Sequence, residues 1–573
     1  MNFAYDSTNN FYYYGDDELQ SGLYRRYFID SKPERIAYDT ETISTKEKIA
    51  VGIAIAPSPH AAFYFPLFPS PSSMVPWWLL RDSSIPKIIH NALFDLVALR
   101  EYEVDTSNIQ DTTDLARLCG EPNAELSVLA LEKYGEQLVT AKDLMGTGKT
   151  MLDAPKDETA RMCCTHAMIT YRLWLDMVDQ VDKDYYQKEM ELIPIMIAMS
   201  YRGIKLDQDA RQQVEDTLVK DSEFYRAICE EEGFNPASPQ QVSHTLAKRG
   251  AYGVFHRLPF TKDKYGRRTT HLSTAEETLR LMDDPLAPVI LSYREHSKLL
   301  STYIVPWRGE DRAYTRFHLD AITGRPSSTD RNMQNIPGKF RKDGTENPVN
   351  CRGILLPDTG TWTDADFSQA EPRALAYLSN DSEMIRIFSL PKFLPDGSKN
   401  LEADIHWQAA VAMDVDRKVG KTFNLAMTYG SSNETLAETI GTRDLSKIAE
   451  WRYRWNMRFS GAADWMLSTQ EQALRHGYVT TILGRKIRVP SLEEEGEAGI
   501  RRKAVDYPCQ GSAAEVLKRS LKRVYDAGID IALQTHDQLT MDGHVESGQL
   551  KELMENNMPF YTPIEVRYLQ RWE

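Results

Sequence analysis

A multidomain α/β protein is the fold class this sequence predicts, and three observations predict it. The chain has 573 residues, too many for one hydrophobic core. Strand-like runs pass into helical ones at Ile88–Asp95 and again at Thr361–Leu378, the local signature of α/β units. Finally, Ile529–Met541 reads as strand, tight turn, strand.

Composition narrows the class. A chain that is 42% hydrophobic and 26% charged is ordinary for a globular protein. The six cysteines are scattered and form no CxxC pair, so neither a disulfide framework nor a zinc module is implied, and a reducing cytoplasm fits. No apolar run approaches the ~20 residues of a membrane span, and the polar, acidic start Met1–Asp17 is not a secretory leader. The net charge is −15, yet residues 481–525 carry ten Lys/Arg against six Asp/Glu. That window reads either as a solvated helix face or as a phosphate track in an acidic molecule.

In chain order, Arg35–Thr42 alternates as a strand, which puts the Asp39 and Glu41 carboxylates on one face. Ile49–Ala56 is its expected antiparallel partner. Ile88–Asp95 runs from strand into helix, with Asn91 and Asp95 expected on one helix face. Asp39, Glu41 and Asp95 are thus candidates to hold two cations for phosphodiester cleavage. Gly146–Thr150 lacks the leading glycine of a phosphate-binding loop, with Asp143 in its place, and is expected to be a loop. Helices are expected over Glu189–Ser200, 208–231 and 275–304. Thr323–Pro337 is too polar for a core and is expected to line a surface or cleft, where Arg325, Asn332, Gln334 and Asn335 can reach minor-groove acceptors.

Asp366 ends a strand, and Glu371 follows in the first turn of a helix. A hard divalent cation takes carboxylates in such a place and leaves positions open for phosphate oxygens. Asp537, at the tip of the 529–541 hairpin, is the expected partner. Arg417, Lys421, Leu425 and Tyr429 recur at spacing four; each step drifts only ~40° around a helix, so they share one broad face. Arg and Lys one turn apart make a clamp for a triphosphate.

These residues carry a resemblance. Asp39–Glu41 with His90–Asp95 and Asp111–Thr112 look like the first motifs of the DEDD-type 3′–5′ exonucleases that precede family A DNA polymerases. In the third motif, Met162 stands where Tyr is expected and His166 where the fourth acid is expected, so exonuclease activity and a scaffold role both stay open. Thr323–Pro337, Asp366–Arg373, Arg417–Gly430, Ile500–Ala514 and Ile529–Met541 resemble successive segments of a DNA polymerase I-like enzyme. The resemblance implies an RNase H-like 3′–5′ exonuclease domain followed by a right-hand polymerase. Its parts are the exonuclease-like domain (1–185), thumb (186–310), first palm segment (311–400), fingers (401–500) and second palm segment (501–573).

It implies two Mg2+ ions at Asp366, Asp537 and the Phe367 carbonyl, with exonuclease metals at Asp39, Glu41, Asp95 and His166. Arg417, Lys421, Leu425, Tyr429, Glu371 and His536 would contact the dNTP, Glu371 as the gate against a 2′-OH and Lys421 among the catalytic residues. Arg325, Asn332, Gln334, Asn335, Arg502 and Gln510 would contact primer–template DNA. Leu425 departs from the aromatic residue usual there, Asp506 from Asn, and Gln538 from Glu. The expectation is template-directed DNA synthesis in replication, in the cytoplasm of a bacterial host, with a compact layout like that of bacteriophage enzymes and no membrane partner. A nuclease-only enzyme and a non-catalytic DNA-binding protein are the alternatives.

Overall fold

The structure is a computed structural model that describes residues 11–13, 22–44, 48–146, 149–255, 258–262, 268–319, 321–340 and 345–572. Most of the polar start, and Thr147 and Gly148 of the glycine-rich stretch, lie outside these. No helix among the described residues is long and apolar enough to cross a membrane.

The first unit is built on a six-stranded sheet: β1 (Phe11–Tyr13), β2 (Ile36–Thr42), β3 (Ala50–Ser58), β4 (Ala61–Pro66), β5 (Lys87–Ile89) and β6 (Ile109–Asp111). Their spatial order is β1-β4-β3-β2-β5-β6. β3 is antiparallel to both neighbours, whereas β5 and β6 run parallel to β2. Apart from β1, this is the expected RNase H-like order. The period-2 alternation here sorts residues between two covered faces rather than between core and water. Ile36 and Tyr38 join the larger apolar cluster with Ile53, Ile55, Phe63 and Phe65. Ala37, Ala54, Ala56 and Ala62 face the other way, against Cys163, Cys164, Ala167 and Met168. Small residues on that side let helix α2 (Lys156–Met177) lie close on the sheet.

Helix α1 (Ala92–Ala98) follows β5, but Asn91 is not part of it. Asn91 has φ +61 and precedes the first turn, which corrects the expectation that Asn91 and Asp95 share a helix face. Asp111 is likewise structural. It caps the helix Thr112–Cys119 by accepting from Thr113 N–H and also accepts from the N–H groups of Asn91 and Ala92.

The middle of the chain is helical. The stretch Glu189–Ser200 is two helices, Lys183–Met190 and Ile193–Arg202, with Pro194 in the first turn of the second. Helix α3 (Gln208–Glu231) packs along helix α4 (Leu286–Leu299). The helix expected over 275–304 is broken: Glu276–Arg280 ends first, and α4 starts after Pro285. Proline sets its own φ and removes a donor, so it begins a helix more readily than it continues one.

The catalytic half centres on a four-stranded antiparallel sheet: β7 (Trp362–Phe367), β8 (Ile531–Thr535), β9 (Gln538–Asp542) and β10 (Ile564–Leu569), in the order β8-β9-β7-β10. Helix α5 (Ala370–Ser379) follows β7. A second core gathers around helices α6 (Ile405–Met413), α7 (Arg417–Thr428) and α8 (Leu445–Arg458), with Phe423, Trp451, Trp455 and Phe459. A Cβ on Gly420 would stand 2.5 Å from Ala410 Cβ and 2.7 Å from the His406 carbonyl, so a glycine there permits the close α6–α7 crossing. Helix α9 (Leu492–Asp526), kinked at Gly496, runs through the expected boundary at 500/501.

The ten cations of 481–525 do not form one track. Arg485 is 2% exposed and Lys518 5% exposed. Arg488, Arg501, Lys503 and Lys522 pair with Glu494, Glu497, Glu495 and Asp526. Most of this positive charge is therefore spent inside the protein, and Arg502 remains exposed.

Candidate functional site

Two acidic centres lie at the ends of the two sheets. At the first, Asp366 sits next to the last residue of β7 and pairs in register with Gln538 on β9 and Glu565 on β10. The two-residue turn His536–Asp537 joins β8 to β9, with His536 at φ +53. The Phe367 N–H donates to the Asp537 carbonyl oxygen at 3.0 Å, which brings the two Asp residues to one sheet edge. Burial first, and then the Asp537 charge, push the Asp366 carboxyl up to about 6. A carboxyl raised by burial and by its neighbour's charge, paired with that neighbour at a half-buried edge, is a donor set that a hard divalent cation fits.

A chain of contacts leads from this pair to α7. Arg325 donates to Asp537 Oδ1 at 3.0 Å and lies 3.7 Å from Glu371. Glu371, 8% exposed, is hydrogen-bonded to Tyr429 at the end of α7; burial raises both groups. Arg417, Lys421, Leu425 and Tyr429 do share one face: Arg417 and Lys421 are exposed, and Leu425 is half-buried. Arg417 is engaged with Asp404 at 2.7 Å. His406 lies nearby; burial lowers it to about 4, helped by the charges of Arg417 and Lys421. Gly430 closes the helix at φ +66, and a Cβ there would meet the Arg502 carbonyl at 2.7 Å. This close approach ties the end of α7 to α9.

The other expected contact residues divide. Asn335 and Arg502 are exposed, and Asn332 is half-buried with its Oδ1 accepting from Ser328. Gln334 is not on the surface: its amide donates to Gln534 Oε1 at 2.6 Å and to the Pro326 carbonyl at 3.2 Å. Gln334 supports the hairpin that carries Asp537, as an amide can when buried with partners on every side. This, with buried Met333 and Ile336, corrects the expectation of a wholly cleft-lining run. Gln510 donates to Asp506 at 2.9 Å. Gln538 is buried and hydrogen-bonded to Asp364, itself 1% exposed. A neutral amide there spares Asp364 a second negative charge. Glu565, beside Asp366, was missed in the sequence, because nothing local marks which strand will pair with β7.

The second centre lies between β2 and α2. Ala37, Asp39 and Glu41 alternate onto the α2 side, so the two acids meet Cys163 and His166 there. Asp39, Glu41 and Cys163 bring ligand atoms within 4.8 Å of one another, and His166 Nδ1 lies 3.6 Å from Asp39 Oδ2. Burial and then the Asp39 charge push Glu41 up to about 8. Burial alone would lower His166, but its contact with Asp39, the charge of Glu41 and the Val139 carbonyl raise it to about 9. Asp95, expected as a third ligand, is buried, and its Oδ1 accepts from both the N–H and the hydroxyl of Thr40. Met162, in place of the expected Tyr, is buried at 3% exposure beside Ile43 and Met151. An open cleft of about 480 Å³ runs past His90, Arg117, Asn123 and His166. Cys163 was not singled out from the sequence; its spacing of three from His166 was the available signal.

The units meet through a buried ionic group. Arg485 lies 3.6 Å from Glu189 and 3.9 Å from Asp114, Lys518 pairs with Glu189, and Tyr185 donates to Glu515 at 3.0 Å.

Fold and sites together define a protein with two carboxylate centres of the kind that handle phosphodiesters, one on a six-stranded α/β unit and one on an antiparallel sheet flanked by helices. The profile of DNA polymerase family A matches residues 205–569, and that of its 3′–5′ exonuclease domain matches 28–182. The chain belongs to DNA polymerase family A. It is 30% identical over 555 residues to DNA polymerase I of Chloroflexus aurantiacus, covering 88% of this chain and 56% of that protein. To DNA polymerase I of Pseudomonas aeruginosa it is 27% identical over 578 residues, covering 89% and 59%. The chain thus spans about half the length of the curated relatives it matches. Its fold is similar to that of the POL domain of Pol1 from M. smegmatis, solved with DNA primer-template and dNTP, with a TM-score of 0.73 at 22% identity over 98% of this chain and 99% of that one.

Proposed function

We propose that the chain is a DNA-directed DNA polymerase that adds dNTPs to a primer 3′-OH. The observation that carries this reading is the unbroken link from the Asp366–Asp537 pair through Arg325, Glu371 and Tyr429 to the Arg417–Lys421 face of α7. Asp366 and Asp537, with the Phe367 carbonyl, would hold two Mg2+ ions, since an all-oxygen set suits that cation. Such ions lower the pKa of an attacking hydroxyl and offset charge on the phosphates.

The chain's own residues do the rest. Lys421, and Arg417 once released from Asp404, grip the triphosphate, Arg by a bidentate contact. Tyr429 closes one side of the nucleotide pocket, beside Leu425 and His536. Glu371, held by Tyr429 and Arg325, occupies the space a 2′-OH would need. Asn332, Asn335, Arg502 and Gln510 face the duplex, and Gln334 acts through the hairpin. Residues 186–310 serve as thumb, 311–400 and 501–573 as palm, and 401–500 as fingers, with residues 1–185 as the exonuclease-like domain. The proposed setting is the cytoplasm of a bacterial cell. The matched relatives are bacterial.

Primer extension tests this. Asp537→Ala should lower nucleotide addition by about 10³-fold or more, the loss of several kcal/mol of charge stabilisation. Extension at the parental rate would overturn the assignment.

A further inference from the structure

The donors gathered beside Asp39 are not those of a magnesium site. Strand β2 sets Asp39 and Glu41 on one face, and α2 sets Cys163 and His166 three residues apart on the face that meets it. The acids and the Cys163 sulfur lie within 4.8 Å of one another. His166 Nε2 lies 2.9 Å from the Val139 carbonyl oxygen. A carbonyl only accepts, so Nε2 carries the hydrogen and Nδ1 is the atom turned to the acids. Ligand imidazoles are held in this way, with the far N–H fixed by a backbone oxygen. Asp39 Oδ2 is a buried oxygen with no hydrogen-bond partner. Glu41 is 8% exposed.

We propose that Asp39, Glu41 and Cys163 form a three-donor site, with His166 against Asp39 at its side, for a borderline transition cation, Zn2+ foremost, and not for Mg2+. Mg2+ demands octahedral oxygen coordination and keeps several waters. A thiolate beside two carboxylates favours Zn2+, which accepts three mixed protein donors and keeps a fourth, open position in its tetrahedron. The Cys163 S–H, which donates to the Asp39 backbone oxygen at 3.3 Å, gives its proton to solvent when the sulfur binds the metal. Asp95 is not among these donors, and its Oδ1 accepts from Thr40. The polymerase reading needs neither Cys163 nor His166, so the two stand or fall separately.

The test is a Co2+ titration of the full-length, chelator-stripped protein, read by absorption. The expected result is the strong visible bands of a four-coordinate ion with a thiolate-to-cobalt band in the near ultraviolet. Stoichiometric Zn2+ should abolish both, and a large excess of Mg2+ should leave them intact. Occupancy at Asp366 and Asp537 cannot produce the near-ultraviolet band, because no sulfur ligand is there. Cys163→Ser should remove that band and weaken Zn2+ binding by about tenfold or more, while Cys509→Ser, in the separate helical core, should keep it. His166→Asp serves as the second variant and should shift the competition toward Mg2+. A pale six-coordinate spectrum, displacement of Co2+ by Mg2+, survival of the band in Cys163→Ser, or unchanged Zn2+/Mg2+ selectivity in His166→Asp would each overturn the proposal.

Discussion

The two acidic centres of this chain share a local architecture and differ in what surrounds it. In each, a strand bears acids at its end or edge, and a helix begins nearby after a residue with left-handed backbone: Asn91 before α1, Gln369 before α5. At the polymerase-like centre, the second acid comes from a hairpin tip in the same sheet, and the groups around the pair are Arg325, Arg567 and Glu565. At the exonuclease-like centre, the completing groups come from a helix laid across the sheet, and they are a thiol and an imidazole. The difference teaches that a sheet edge specifies where carboxylates gather, and the element packed over it specifies which cation they suit.

The sharpest way to break this comparison is to remove the first acid from each centre. Asp366→Ala should lower primer extension by about 10³-fold or more and leave any shortening of a 5′-labelled primer unchanged. Asp39→Ala should leave extension at the parental rate. A large loss of extension in Asp39→Ala would show that the centres are not independent.

The seam between them should answer to stability rather than rate. Arg485 balances Asp114 and Glu189 with almost no solvent contact. Arg485→Ala leaves Asp114 uncompensated, while Glu189 keeps Lys518, and should destabilise the protein by about 3–5 kcal/mol, measured by denaturant unfolding. A change under about 1 kcal/mol would mean that the cluster is hydrated.

A smaller effect separates the centres by pH. Asp366 sits at about 6 without a cation, raised by burial and by Asp537. Its proton must leave before it can ligate, so cation affinity at this centre should fall about tenfold for each pH unit below 6. Asp366→Asn should remove this dependence along with most of the affinity. A flat affinity between pH 5 and about 7, read by Mn2+ titration of the parental protein, would contradict the raised carboxyl.

The smallest expected effect concerns Leu425, half-buried on the α7 face. Leu425→Phe adds apolar surface on the face proposed to meet the nucleotide sugar, worth about 1 kcal/mol. It should change the ratio of dideoxy- to deoxynucleotide incorporation by a few-fold; an unchanged ratio would take Leu425 out of the nucleotide pocket.

Much of the architecture was legible in order along the chain. Period-2 alternation located β2 and placed Asp39 and Glu41 together, and the spacing of four located the face of α7. The strand–turn–strand reading of 529–541 matched β8 and β9. Each of these is a local geometric rule, in which side-chain direction follows from the residue count alone. Residues whose role depends on a partner far along the chain were misread or missed. Gln334 looked like a cleft residue because it is polar, and it is buried because Gln534 satisfies it. Arg485 and Lys518 belonged to a window read as a solvated face or a phosphate track, and instead neutralise Asp114 and Glu189. The helix over 275–304 was read through Pro285, which breaks it.

By itself, then, the sequence determined β2, β3, β8 and β9, the face of α7 and the pairs Asp39–Glu41 and Arg417–Lys421, because backbone periodicity acts over a few residues and needs no partner. Only the tertiary structure decided that Asp95 accepts from Thr40, that Cys163 lies beside Asp39 and Glu41, and that most of the basic window is paired within the protein. Those outcomes rest on which charges and donors are brought together out of water, and burial gives such contacts their energy only once the chain has closed around them.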